Sequence, residues 1–233
     1  SDPAIGECSQ VHVAGLTVLT ELPISRPVVL RSPLTERGAR GFGHPGQVRR
    51  SPEFERFGAF AEVFSSGPDG KNGPRWYLEL LNLQNNGAGA VQVVARCLAK
   101  AERAPDAIEA LLLGPEGWRP QLVGCVSALL ADPGVRPVDA LGQAASSYSW
   151  VSPQLLVTAA LVGRDDWVAR AEQGIAERHD LKAAAALAAL ADPVPPRIVA
   201  LAELDTVGGD QLALRWKRAV GAAFDNAGFD RGW

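Results

Sequence analysis

The chain has 233 residues, of which 47% are hydrophobic and 21% charged, with a formal net charge of −3 and a mean hydropathy of +0.01. A chain of that length buries about 70–75% of its unfolded surface without help from a metal or disulfides, and its composition sets disorder aside for the bulk of the chain. The acidic balance excludes a molecule-wide field for phosphates, so nucleic acid is not the expected partner and any basic site must be local.

Composition divides the chain near residue 74. Residues 1–74 carry Pro23, Pro27, Pro33, Pro45, Pro52, Pro68 and Pro74 with many glycines, a density that interrupts helix hydrogen bonding and forbids long regular elements. Val11-His12-Val13, Leu16-Thr17-Val18-Leu19 and Val28-Val29-Leu30 fit period 2 and period 3.6 about equally, and their β-branched content favours short strands. Ser51-Pro52-Glu53 reads as an N-cap, a proline at N1 and an acid in the first turn. It predicts a helix over 51–64 whose Phe54, Phe57, Ala61 and Phe64 share one face, ended by Ser65-Ser66-Gly67-Pro68. This N-terminal part is either a separate segment or a cap.

From Trp76 onward helix signals come in pairs. Trp76 to Leu83 is followed by Ala88 to Ala101, Asp106 to Leu113 by Trp118 to Leu130, and Val138 to Ser147 by Pro153 to Val162. Asp166 to Arg178 is followed by Leu181 to Leu190, and Arg197 to Leu204 by Gln211 to Phe224, with 226–233 left as a tail. The second helices begin near 88, 119, 152, 180 and 209, at spacings of 31, 33, 28 and 29, the size of one helix–turn–helix repeat. Local sequence recurs in step: Pro120-Gln121-Leu122 returns as Pro153-Gln154-Leu155, and Ala131-Asp132-Pro133 as Ala191-Asp192-Pro193.

These residues, with Pro105, Pro137 and Pro195 opening first helices and an apolar second helix at Leu181 to Leu190, resemble the HEAT and armadillo class of α-solenoids over about residues 75–225. The resemblance is to an architecture and to no single family, and the repeat is shorter than the usual HEAT unit of ~40 residues. It implies a mainly α fold, an α-solenoid of about five helix pairs behind an irregular N-terminal segment with short strands. A lone pair cannot bury both apolar faces, whereas stacked pairs share a continuous interior with a groove along it.

No catalytic constellation is visible. His12, His44 and His179 stand in no metal-ligand spacing, and no nucleophile elbow, Walker loop or dinucleotide fingerprint occurs, so neither cofactor nor metal is expected. Asp180 reads as the N-cap of the helix from Leu181, and Asp165-Asp166 as the cap before Trp167. Cys8, Cys97 and Cys125 are an odd set at wide spacing, which fits no disulfide framework and makes a reducing cytoplasm the expected compartment. Uncharged runs such as 82–95 contain Asn, Gln and Gly, so no membrane span is expected. The chain has no methionine, which is compatible with a processed start at Ser1-Asp2-Pro3.

Two features could bind. Between Arg26 and Arg50 six arginines face one acid, Glu36. Arg37, Arg40, Arg49 and Arg50, with His44 interleaved, could fork onto carboxylates of an acidic protein surface, the alternative being a solvated loop. Six tryptophans sit mostly where helices start, which suits packing at repeat junctions. Among them Trp118 and Trp150, with Tyr148, lie near turns that would rim a groove and are the candidate hot spot. The expected function is a non-catalytic interaction protein, an adaptor or an inhibitor of immunity type, holding another protein. The alternative is an enzyme resembling HEAT-like DNA-repair glycosylases, with Trp167 and Asp165 or Asp166 as the nearest counterparts of an aromatic and acidic site, although the helices lack the basic excess a DNA groove needs.

Overall fold

A computed structural model describes residues 55–69, 75–163 and 166–233. The proposed strands at 11–30 and the arginine-rich stretch lie outside the described residues. Among those described there are eleven α-helices and no strand. A 3-10 turn, Gly58–Phe60, leads into α1 (Ala61–Ser65), then come α2 (Trp76–Asn82), α3 (Gly87–Ala99), α4 (Ala104–Leu113) and α5 (Trp118–Leu130). After a second 3-10 turn, Pro133–Val135, follow α6 (Val138–Ser146), α7 (Ser152–Val162), α8 (Trp167–Arg178), α9 (Leu181–Ala188), α10 (Pro196–Ala202) and α11 (Gly209–Ala227). No helix among the described residues is long and apolar enough to cross a membrane.

The helix proposed over 51–64 is a correction. Glu55 is helical and so is Ala61–Ser65, but Gly58 between them adopts φ +52, a left-handed conformation that interrupts the helix; residues 51–54 lie outside the described part. Its aromatic face survives in altered form: Phe57 stacks on Phe64 at 4.1 Å, and Phe60, Val63 and Phe64 join the same core as the helices from Trp76 on.

The ten paired helices start and stop for local reasons. Pro105, Pro153 and Pro196 occupy first-turn positions, where the missing amide costs nothing. The Asp180 carboxylate accepts from the Ala183 amide at 3.0 Å and caps α9. Asp166 stands at the corresponding place before α8 without making a side-chain cap bond; its carboxylate takes the Arg170 guanidinium at 2.8 Å instead.

Packing follows the pairs through most of the chain. Within pairs α2 lies on α3, α4 on α5, α6 on α7 and α8 on α9. Between pairs α3 touches α5, α5 touches α7 and α7 touches α9, while α4, α6, α8 and α10 form a second row of neighbours. Pro120 to Leu129 of α5 and Ser152 to Ala159 of α7 are buried without interruption, as helices covered on every side must be.

The last pair departs from this rule. Helix α11 packs on α9, α7 and α3, with α10 not among its main neighbours, and its Ala213, Trp216, Val220, Ala223 and Phe224 are buried. Spaced by three and four, those residues form one apolar stripe that water would oppose leaving open, and each fully buried Val- or Phe-sized side chain contributes roughly 1.5–3 kcal/mol. The face of the second helices, left open as a groove in the sequence reading, is therefore covered by the chain itself. The Trp216 indole Nε1 donates to the Leu80 carbonyl at 3.0 Å, 136 residues back. The tail after Ala227 also packs, with Phe229 and Trp233 ring centroids 6.2 and 4.6 Å from Phe224.

Helix α9 must lie close to its neighbours. A Cβ on Gly209, at the start of α11, would stand 2.0 Å from the Lys182 carbonyl oxygen, so only glycine admits that approach. Ala186 is wholly buried in α9, and Ala186→Trp is expected to cost roughly 1–3 kcal/mol by overpacking, read as a lower denaturation midpoint; an unchanged midpoint would place α9 outside the core. Trp216→Phe removes the donor to a buried carbonyl and is expected to cost about 1–3 kcal/mol, measured by the same unfolding transition.

Candidate functional site

Five aromatic side chains, from the buried Phe64 to the exposed Trp150, lie in one strip of ring contacts. Trp118 is the first residue of α5, preceded by Gly117 at φ +81 and ψ −151, a backbone conformation open in practice to glycine alone. Trp150 belongs to the turn between α6 and α7. Their rings meet at a centroid distance of 5.0 Å, and Trp118 meets Tyr77 of α2 edge-on at 5.9 Å. Tyr77 continues to Phe64 at 5.9 Å and thence to Phe57, so five rings, Phe57 just before the first 3-10 turn and the others from α1, α2, α5 and the α6–α7 turn, run in sequence.

Three cations lie over these rings. Arg56 stands 4.9 Å from the Phe57 centroid, Arg119 5.0 Å from Trp118 and 5.8 Å from Tyr77, and Lys182 5.8 Å from Trp150. Each draws on the negative ring face. The Lys182 Nζ also donates to the Trp150 carbonyl at 2.5 Å. Burial lowers the pKa of the Lys182 ammonium from its ordinary value, and the carboxylates of Asp180 and Asp205 partly restore it.

The turn holding Trp150 is fixed from below. Ser149 is buried and its Oγ donates to Gln121 Oε1 at 2.5 Å, while Gln121 Nε2 donates to the Leu112 carbonyl at 3.3 Å. Ser152 Oγ lies 2.6 Å from the Ser149 carbonyl and 3.5 Å from Asp180 Oδ2. Ser149 and Val151 are thus drawn inward on either side of Trp150, which is left 57% exposed, with Tyr148 at 76%. The turn thus holds indole and phenol surface open to solvent on a hydrogen-bonded support.

Of the residues proposed from sequence, Trp118 and Trp150 come together. Tyr148 stands on the same turn and joins no ring stack among the described residues. Arg37, Arg40, His44, Arg49 and Arg50 lie outside the described residues. Tyr77, Arg119 and Lys182 were not anticipated. Trp118, Trp150 and Lys182 follow one another at steps of 32 residues, but they take different places, the first residue of α5, the turn before α7 and the second residue of α9, so the spacing carried no signal for Lys182.

Other places offer less chemistry. Trp167 is half-buried and Asp166 is held by Arg170, which also reaches Asp139 at 3.0 Å; Asp165 lies outside the described residues. An open cleft of about 1150 Å³ lies between the 3-10 turn at Gly58 and α4. It is lined by charged groups such as Glu62, Arg103, Asp106 and Glu109, and by no described histidine, cysteine or serine. No group of three or more metal-ligating side chains occurs among the described residues. Cys97 and Cys125 are buried, and burial pushes the Cys125 thiol up to about 12, which keeps it from acting as a thiolate.

The Ser149 to Gln121 bond is the part of this arrangement most open to test. Ser149→Ala leaves a buried amide oxygen without its donor and is expected to cost about 1–3 kcal/mol. It should also loosen the turn, read as greater acrylamide quenching of tryptophan fluorescence than in the parent chain. Comparison with protein-family models, with curated proteins and with solved structures finds no significant match to this chain.

Proposed function

We propose that this protein is a non-catalytic interaction module, an adaptor or inhibitor, built as a short HEAT-like row of helix pairs that its own last helix closes. The partner is another protein, and it docks at the edge where helix starts line up instead of in the groove between the rows. One observation carries the reading: Trp150 and Tyr148 are 57% and 76% exposed on a turn whose flanking residues are buried. Exposed aromatic anchors on a rigid support are what tight interfaces use at their centres, because little conformational entropy is lost when they are covered.

The surrounding chemistry supports a protein partner. The strip mixes ring surface with guanidinium and ammonium groups, the residue types enriched at interface centres. The arginine-rich stretch with Arg37, Arg40, Arg49 and Arg50 would add a second basic element for the same acidic partner.

The test is paired capture. The full chain and its Trp150→Ala variant, shown by circular dichroism to be equally helical, are used as bait, and the wild-type chain is expected to retain a stoichiometric protein that the variant loses. Loss of a central aromatic anchor weakens such complexes by about 2 kcal/mol or more, roughly thirtyfold. Equal recovery with both baits would remove the strip from the interface.

A further inference from the structure

The charges along the strip say what kind of segment it accepts. Arg119 is exposed, lies over two rings and has no carboxylate partner among the described residues. Lys182 has three N–H donors and spends one on the Trp150 carbonyl. Asp180 and Asp205 act on it electrostatically but form no salt bridge with it, their oxygens accepting instead from backbone amides, Asp180 Oδ1 from Ala183 and both Asp205 oxygens from Val207, Gly208 and Gly209 at 2.7–3.0 Å. The strip thus offers two cations that make no salt bridge among the described residues, one at each end of the Trp118–Trp150 ring pair.

Spacing and ring occupancy narrow the ligand. Steps of 5.0, 5.0 and 5.8 Å lead from the Arg119 guanidinium through the two indole centroids to the Lys182 ammonium, which sets an upper limit on the separation of the two cations that about five residues of extended chain cover at ~3.3 Å each. Both indoles already carry a cation, so a cationic ligand such as a methylated lysine would meet like charge where an aromatic cage must be empty.

We propose that this surface selects an extended acidic segment of a partner protein, with one carboxylate meeting Arg119, a second meeting Lys182, and an apolar or aromatic side chain between them on Trp150. The inference rests on the interaction reading above and adds to it the sign, length and order of the recognised segment. Guanidinium and ammonium groups that rim a ring contact set which partner is accepted, and make the encounter salt-dependent.

The experiment uses the full chain and three dye-labelled synthetic peptides: one with glutamates on both sides of a central tryptophan, one with lysines in place of the glutamates, and one with serines. Fluorescence anisotropy is expected to show binding of the acidic peptide alone, weakening as salt is raised. Arg119→Gln and Lys182→Gln are each expected to weaken it about three- to tenfold, in the range of a lost charge contact at an interface rim. The double variant Arg119→Glu with Lys182→Glu should shift preference to the lysine peptide. Circular dichroism confirms that each variant is folded. Equal binding of acidic and lysine peptides, or unchanged affinity in both glutamine variants, overturns the proposal, as does a single-stranded oligonucleotide that binds more tightly than the acidic peptide. If Trp150→Ala abolishes partner capture while the peptides are not distinguished, the charge rule falls and the interaction module stands. If neither effect appears, both fall.

Discussion

The bond from the Trp216 indole to the Leu80 carbonyl ties the last helix to α2 across 136 residues, and that helix decides how the earlier ones are covered. Were α11 to lie on α10 as the other second helices lie on their partners, α3 and α7 would lose a neighbour. It lies instead on α3, α7 and α9, and the burial of Trp216, Val220 and Phe224 fixes it there. An apolar stripe on the last helix and apolar faces on the earlier ones cover each other. Helix starts and exposed turns lie at the edges of this packing.

At one of those edges the polar interior and the exposed rings belong to one device. Gln121, Ser149, Ser152 and Asp180 connect the start of α5, the α6–α7 turn and the cap of α9 through hydrogen bonds. Buried polar groups cost stability unless paired, and paired they specify geometry. Here the specified geometry is the inward direction of Ser149 and Val151, which in a tight turn forces the side chain between them outward. The exposure of Trp150 is therefore a consequence of what its neighbours bind, and it is retained although the indole would be more stable buried.

Much of the helix order could be read from the residues. Proline at helix starts, Asp180 before Leu181, and the alternation of apolar runs with Gly and Pro breaks located ten helices whose boundaries mostly fall within about three residues of those observed. Pro120-Gln121-Leu122 and Pro153-Gln154-Leu155 occupy matching first turns of α5 and α7, because the same junction needs the same small polar and apolar set. What could not be read is partnering over long separations. The stripe on α11 shows that the helix is covered on one side, but periodicity within a helix carries no information about which distant helix covers it. The break at Gly58 was missed for another reason: a helical face pattern continues unchanged through a glycine, whatever φ that glycine adopts, and here it is left-handed.

The series Trp118, Trp150 and Lys182 shows how packing grades into exposed charge. Trp118, the first residue of α5, is half-buried with its ring against Tyr77 and Trp150. Trp150, in the turn before α7, meets the Trp118 ring and the Lys182 ammonium, and more than half of it is open to solvent. Lys182, the second residue of α9, has an alkyl stem suited to cover ring surface while its ammonium stays near water. The three occupy different places at their helices, so the packing of α5, α7 and α9 side by side, and not a fixed repeat step, brings them together. Rings held on a packed support lose little conformational freedom when they are covered, which is the physical basis of the interaction proposed above.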